Sequence, residues 1–113
     1  LQGGSSVKKL KVKVGNVLYK ITYDKVIYIL SQPFSKKVII KTVDEVIECY
    51  NTIKELHEKL DNRFIKTHRA CIVNKDYISK VTIDEQPTIY LANGETLDLV
   101  SRSGKMELKN NGF

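Results

Sequence analysis

Few groups in this chain could carry chemistry, and most of them have a plain structural role open to them. There are two histidines, His57 and His68, and two cysteines, Cys49 and Cys71. His68 and Cys71 stand close enough in the chain to suggest a thiol–imidazole pair or two metal ligands. Either arrangement needs a further partner, and none lies nearby in the sequence. His57 falls between the apolar positions of a helical segment, where a side chain faces solvent. The carboxylates Asp44-Glu45, Asp84-Glu85 and Glu95 sit at turns or hairpin ends, where solvated acids are ordinary. The chain carries no glycine-rich phosphate loop, no Gly-x-Ser-x-Gly elbow and no Cys-x-x-Cys pair. The expectation is a protein without catalytic residues, without a metal site and without a cofactor.

The cations are better placed for function. Nineteen Lys and Arg against thirteen Asp and Glu give a formal charge of +6, a balance that favours polyanionic partners. Their positions are more informative than their sum: Lys36-Lys37, then Lys66 with His68-Arg69, then Arg102 with Lys105. All fall in loops or at strand ends, where a rigid scaffold presents binding groups. Arginine offers a planar fork to guanine O6 and N7, and lysine a point charge to phosphate. Lys11, Lys13, Lys25, Lys54 and Lys59 read instead as solubilising surface.

The elements that hold these groups are mostly strands. A chain of 113 residues is one folding unit. Leu1 to Ser6 show no periodicity and read as a tag remnant or flexible lead-in, which leaves 7–113 as the domain. Lysine and apolar residues alternate from Lys8 to Val14, with Leu10, Val12 and Val14 on one side. Gly15-Asn16 then turns the chain into Val17 to Tyr23. Val26 to Leu30 is almost wholly apolar and suits a central strand. Ser31 to Ser35 is a loop around Pro33, and Lys37–Thr42 and Glu45–Tyr50 form a hairpin. Thr52 and Glu55 have capping-box spacing, with Ile53, Leu56 and Leu60 on one helical face. Strands follow at Phe64–Thr67, Ala70–Asn74, Tyr77–Ile83, Thr88–Leu91 and Glu95–Val100, the last pair joined at Asn93-Gly94. Ser101 to Leu108 could make a last helical turn, which Gly104 weakens. The expected fold is mainly β, about ten strands with one or two short helices. No run approaches the roughly 18 to 20 apolar residues of a membrane span, and the two cysteines read as reduced, buried filler. A cytoplasmic location without membrane contact is expected.

The segment Phe64-Ile65-Lys66-Thr67-His68-Arg69-Ala70-Cys71-Ile72-Val73-Asn74 resembles the signature of LytTR-type DNA-binding domains, Phe-x-Arg-x-His-Arg-Ser-aromatic-aliphatic-Val-Asn. Ile53-Lys54-Glu55-Leu56 before it, Tyr77-Ile78 after it, and Asn93-Gly94 and Ser101-Arg102 downstream are similar to the family's flanks. Lys66, Ala70 and Cys71 depart from the pattern, and Ala70 removes a hydroxyl that could meet a phosphate. The resemblance implies an elongated stack of small antiparallel sheets. It further implies an effector domain of a bacterial two-component response regulator, bound to double-stranded DNA at promoter direct repeats, with a homodimer on DNA in the full-length protein. A receiver domain is not expected within this chain. Carried over residue by residue, the resemblance assigns base contacts to Arg69, Arg102 and Lys36. Backbone contacts fall to Lys37, Lys66, His68, Ser101 and Lys105, with His68 either outward or packed inward.

Two other classes compete. A module for single-stranded nucleic acid would need aromatic platforms, and Tyr19, Tyr23, Tyr28, Tyr50, Tyr77 and Tyr90 are available. Most lie in phase with aliphatic neighbours, as core residues do, and none adjoins the Lys66–Arg69 cluster. A thiol enzyme centred on Cys71 and His68 would require a reactive, accessible sulfur.

Overall fold

The computed structural model describes residues 8–113, so the reading of Leu1 to Ser6 lies outside the described residues. Alternating lysine and apolar residues form β1 (Lys9–Val14), which pairs with β2 (Val17–Thr22) as a separate two-stranded ribbon. Gly15 closes the ribbon at φ +60°, a conformation that glycine adopts without steric cost. A short 3₁₀ turn, Tyr23–Lys25, leads into β3 (Val26–Ser31).

β3 is central in a five-stranded antiparallel sheet made with β4 (Lys37–Thr42), β5 (Val46–Tyr50), β6 (Phe64–His68) and β7 (Cys71–Asn74). The order is β5-β4-β3-β7-β6. Its central strands are buried on both faces, as the unbroken apolar runs require. One face packs under the β1–β2 ribbon and helix α1 (Ile53–Lys59), where Val26, Ile29, Phe64 and Ile72 meet Leu10, Ile53 and Leu56. The other face packs on β8 (Ile78–Thr82), β9 (Thr88–Leu91) and β10 (Thr96–Leu97), a three-stranded antiparallel sheet. There Ile27, Ile65, Cys71 and Val73 meet Ile89 and Leu91. The fold is thus mainly β, with ten strands among the described residues in three small antiparallel sheets.

Buried polar groups lock the assembly where apolar packing has no directional preference. Asn74, fully buried, donates to the Val26 and Tyr23 carbonyls at 2.9 and 3.3 Å and accepts from Asp76 N–H at 3.0 Å. It ties the end of β7 to the start of β3 and satisfies its own amide. Tyr23 keeps its ring in the first core and donates its hydroxyl to the last turn of α1, at the Lys59 carbonyl, 2.8 Å away.

The chain end differs from expectation. The strand read over Glu95–Val100 shrinks to Thr96–Leu97. The weak helical turn is a full helix α2, Arg102–Asn110. Ser101 caps it by accepting from Gly104 N–H at 3.1 Å. Gly104 does not break the helix because its missing side chain is what lets α2 dock: a Cβ there would lie 1.9 Å from the Thr67 carbonyl oxygen. Leu108, fully buried in the second core, anchors the far end of the helix.

Candidate nucleic-acid interface

Three connections converge at one end of the five-stranded sheet. The β6–β7 turn carries His68, Arg69 and Ala70. Its Ala70 carbonyl accepts from Ser31 N–H at 2.9 Å, which brings in the end of β3 and the β3–β4 loop. On the other side, the Thr67 carbonyl accepts from Ser101 N–H at 2.8 Å and from the Ser101 hydroxyl at 3.3 Å, which fixes the start of α2. Thr67 itself is buried, and its hydroxyl donates to the Leu99 carbonyl at 2.8 Å. The register of β6 against β7 shifts between Lys66 and His68, a bulge that re-aims the side chains leading into the turn.

Two open clefts flank this turn. One, about 730 Å³, is lined by Ser35, Lys36, Tyr50, Lys54, Lys66 and Arg69, among others. The second, about 710 Å³, is lined by His57, Lys66, His68, Arg69, Ser101 and Ser103, among others. Lys66 and Arg69 belong to both, so the three loops make a continuous surface. Lys36, Arg69 and Arg102 are exposed and Lys66 is half-buried; Arg102, unlike the other three, lines neither cleft and stands beside Ser101 and Ser103, which do. None of the four takes part in a salt bridge among the described residues.

The remaining predicted contacts are differently placed. Lys37 donates to Glu48 at 3.2 Å and lies 5.1 Å from the centre of the Tyr50 ring. The Glu48 hydrogen bond holds its ammonium above the usual lysine range, while Gln32 and then Lys37 hold the Glu48 carboxyl below its own. Lys105 donates to the Asp84 carbonyl at 3.0 Å, toward the three-stranded sheet, and does not line either cleft. The Ser101 hydroxyl is engaged as a helix cap. His68 is half-buried and accepts from Ala70 N–H through Nδ1 at 3.1 Å. A neutral ring with Nδ1 accepting carries its proton on Nε2, as a donor. The inward and outward readings of His68 therefore combine: one nitrogen braces the turn and the ring still lines the second cleft.

Two residues escape the sequence reading. Lys54, taken as solubilising surface, lines the first cleft. Tyr50 lies in the same cleft with Lys66 and Arg69 and is 74% exposed, which corrects the expectation that no tyrosine stands at that cluster. The signal was available: β5 alternates, and Tyr50 shares a phase with the exposed Val46 and Glu48. The cysteines are free and buried, and burial pushes the Cys71 thiol up to about 11. A thiol so placed is a poor nucleophile near neutral pH. No group of three His, Cys, Asp or Glu suited to a metal ion occurs among the described residues, and no helix there is long and apolar enough to cross a membrane.

Comparison with known proteins agrees with this geometry. The LytTr DNA-binding domain family matches residues 16–112. Accessory gene regulator protein A of Staphylococcus epidermidis is 30% identical over 91 residues, which is 80% of this chain and 37% of that protein. The same regulator in Staphylococcus aureus strain N315 is 30% identical over 95 residues, covering 84% and 39% respectively. This chain thus spans less than half the length of those relatives. Among solved structures, the LytTr DNA-binding domain of a response regulator from Bacillus cereus superposes with a TM-score of 0.78 at 21% identity, covering 93% of this chain and 97% of that one, a likeness of fold. The three converging loops, the His-Arg turn between them and the match across nearly the whole chain lead to one conclusion: this protein belongs to the LytTr DNA-binding domain family.

Proposed function

We propose that this domain binds double-stranded DNA in a sequence-dependent way, with Arg69, Arg102 and Lys36 meeting base edges in the major groove. The observation that carries this reading is the continuous surface on which Lys36, Lys54, Lys66 and Arg69 stand together, none of them in a salt bridge among the described residues although Glu55 lines the same cleft. Cations left unpaired in the free protein need break no ion pair before meeting DNA. Lys66 and the His68 Nε2–H supply phosphate contacts, which set register and orientation. Ser101 acts by fixing the first turn of α2, so that Arg102 leaves the surface at a defined angle. Lys37 and Lys105, held by Glu48 and the Asp84 carbonyl, take a smaller share of the phosphate contacts.

At promoters the sites would be direct repeats, occupied by a homodimer of a longer response regulator. Joining two domains raises the effective concentration at the second site without changing any contact described above. A reading as a single-strand binder draws on exposed Tyr50, but the Lys37 ammonium already covers that ring, which leaves less of it for a base to stack on.

The test is selection from a random duplex pool at two salt concentrations, with Arg69→Ala and Arg102→Ala beside the wild type. Enrichment of a short motif is expected, with each substitution relaxing preference at a different base and costing about 1–3 kcal/mol. Affinity without a motif, or only for single strands, overturns the reading.

A further inference from the structure

We infer that Phe34 is a base-reading residue that meets the C5-methyl group of a thymine beside the position met by Lys36. This rests on the DNA-contact reading above and supplies a determinant that the cations cannot. Phe34 is fully exposed at the tip of the β3–β4 loop. It is also the only non-glycine residue with positive φ, +62°, among the described residues. Folding explains neither feature, since an exposed phenyl group gains no burial and a bulky side chain is disfavoured in left-handed backbone.

Both features are held by the base of the loop. Gln32 N–H donates to the Lys37 carbonyl at 3.1 Å, and Lys37 N–H donates to the Ser35 hydroxyl at 3.2 Å. The Gln32 amide and the Lys37 ammonium both grip Glu48, at 2.6 and 3.2 Å. The clamp holds the two ends of the loop together, which lowers the backbone entropy lost on binding. Ser35 and Lys36, the next residues in the chain, line the cleft with Lys66 and Arg69, so Phe34 adjoins the cationic surface through its chain neighbours. Among cations the fitting partner is a polyanion, and the apolar group that duplex DNA offers on a major-groove base edge is the thymine methyl.

The selected duplex is resynthesised with each thymine in turn replaced by deoxyuridine, which deletes only that methyl. One replacement is expected to weaken wild-type binding about tenfold and to leave Phe34→Ala binding unchanged, with Phe34→Leu retaining part of the discrimination. Phe34→Gly should lose the discrimination without a lower Tm, because glycine accepts the left-handed backbone. If Phe34→Ala distinguishes thymine from deoxyuridine as the wild type does, or if no thymine is sensitive, the inference is overturned. A motif that depends on Arg69 but not on Phe34 overturns this inference alone; no motif at all overturns the DNA reading together with it.

Discussion

The exposed cations at the loop end of the molecule and their chain neighbours Lys37 and Lys105 are chemically alike and differently employed. Lys37 and Lys105 have partners inside the protein, a carboxylate and a backbone carbonyl. Lys36, Arg69 and Arg102 project from the β3–β4 loop, the β6–β7 turn and the start of α2, and none is in a salt bridge among the described residues. A satisfied cation must surrender its partner before it meets a phosphate, so its net gain is smaller. On the proposed function, formal charge therefore overstates the binding surface, and the turn that carries Arg69 matters more than the number of lysines around it.

Lifting α2 from β6 should have the largest effect, because Arg102 is presented only while Ser101 and Gly104 sit against Thr67. Gly104→Ala forces a methyl group into the Thr67 carbonyl. It should destabilise the domain by about 3 kcal/mol in urea unfolding and lower DNA affinity, whereas Arg102→Ala should lower affinity at unchanged stability. A Gly104→Ala protein as stable as the wild type would show that close backbone approach is not what seats the helix.

A smaller effect tests the pinned lysine directly. Lys37→Ala should change DNA affinity by less than about twofold. Glu48→Gln, which releases Lys37 while also loosening the clamp under Phe34, should steepen the salt dependence by about one phosphate contact, near 0.9 in log–log slope. Lys37→Ala made in that background should remove the added slope. Equal effects of Lys37→Ala in both backgrounds would mean that the Glu48 pairing does not restrain the lysine.

The smallest effect concerns the buried side of the same turn. Cys71, two residues beyond Arg69, has its thiol raised from 9.0 to about 11, chiefly by burial. The folded protein then keeps a proton that the unfolded chain loses. Stability should be insensitive to this group below pH 9 and fall as pH rises from 9 to 11. Cys71→Ala should remove that component of the pH dependence. At pH 8 a thiol reagent should label Cys71 only on unfolding, and rapid labelling of the folded domain would revive the thiol-enzyme reading.

Much of this arrangement is legible along the chain, because alternation, unbroken apolar runs and turn residues act over short distances. β1, β3, β4, β9 and the Thr52-capped α1 fall where their patterns put them. The Lys66–Arg69 segment announces itself by motif. The misreadings are long-range. Gly104 weakens an isolated helix, yet in the fold it is the residue that permits contact with Thr67, thirty-seven positions away by number. Tyr50 looks remote from Arg69 in sequence and lines the same cleft because β5 and β6, although opposite edges of the sheet, present Tyr50 and His68 at the same end of it. The strand read over Glu95–Val100 gives way after Leu97 because the chain leaves the sheet to reach Thr67.

By itself, then, the sequence determines the number and period of the strands, the family signature and the set of cations from which an interface can be drawn. Only the tertiary structure decides which of those cations remain unpaired, that His68 braces its turn through one nitrogen, and that an exposed phenyl ring stands beside them. The reason is physical. Periodicity reports the local preference of a backbone for water on one side, whereas pairing, burial and electrostatic competition depend on groups that meet only when distant segments close around a shared core.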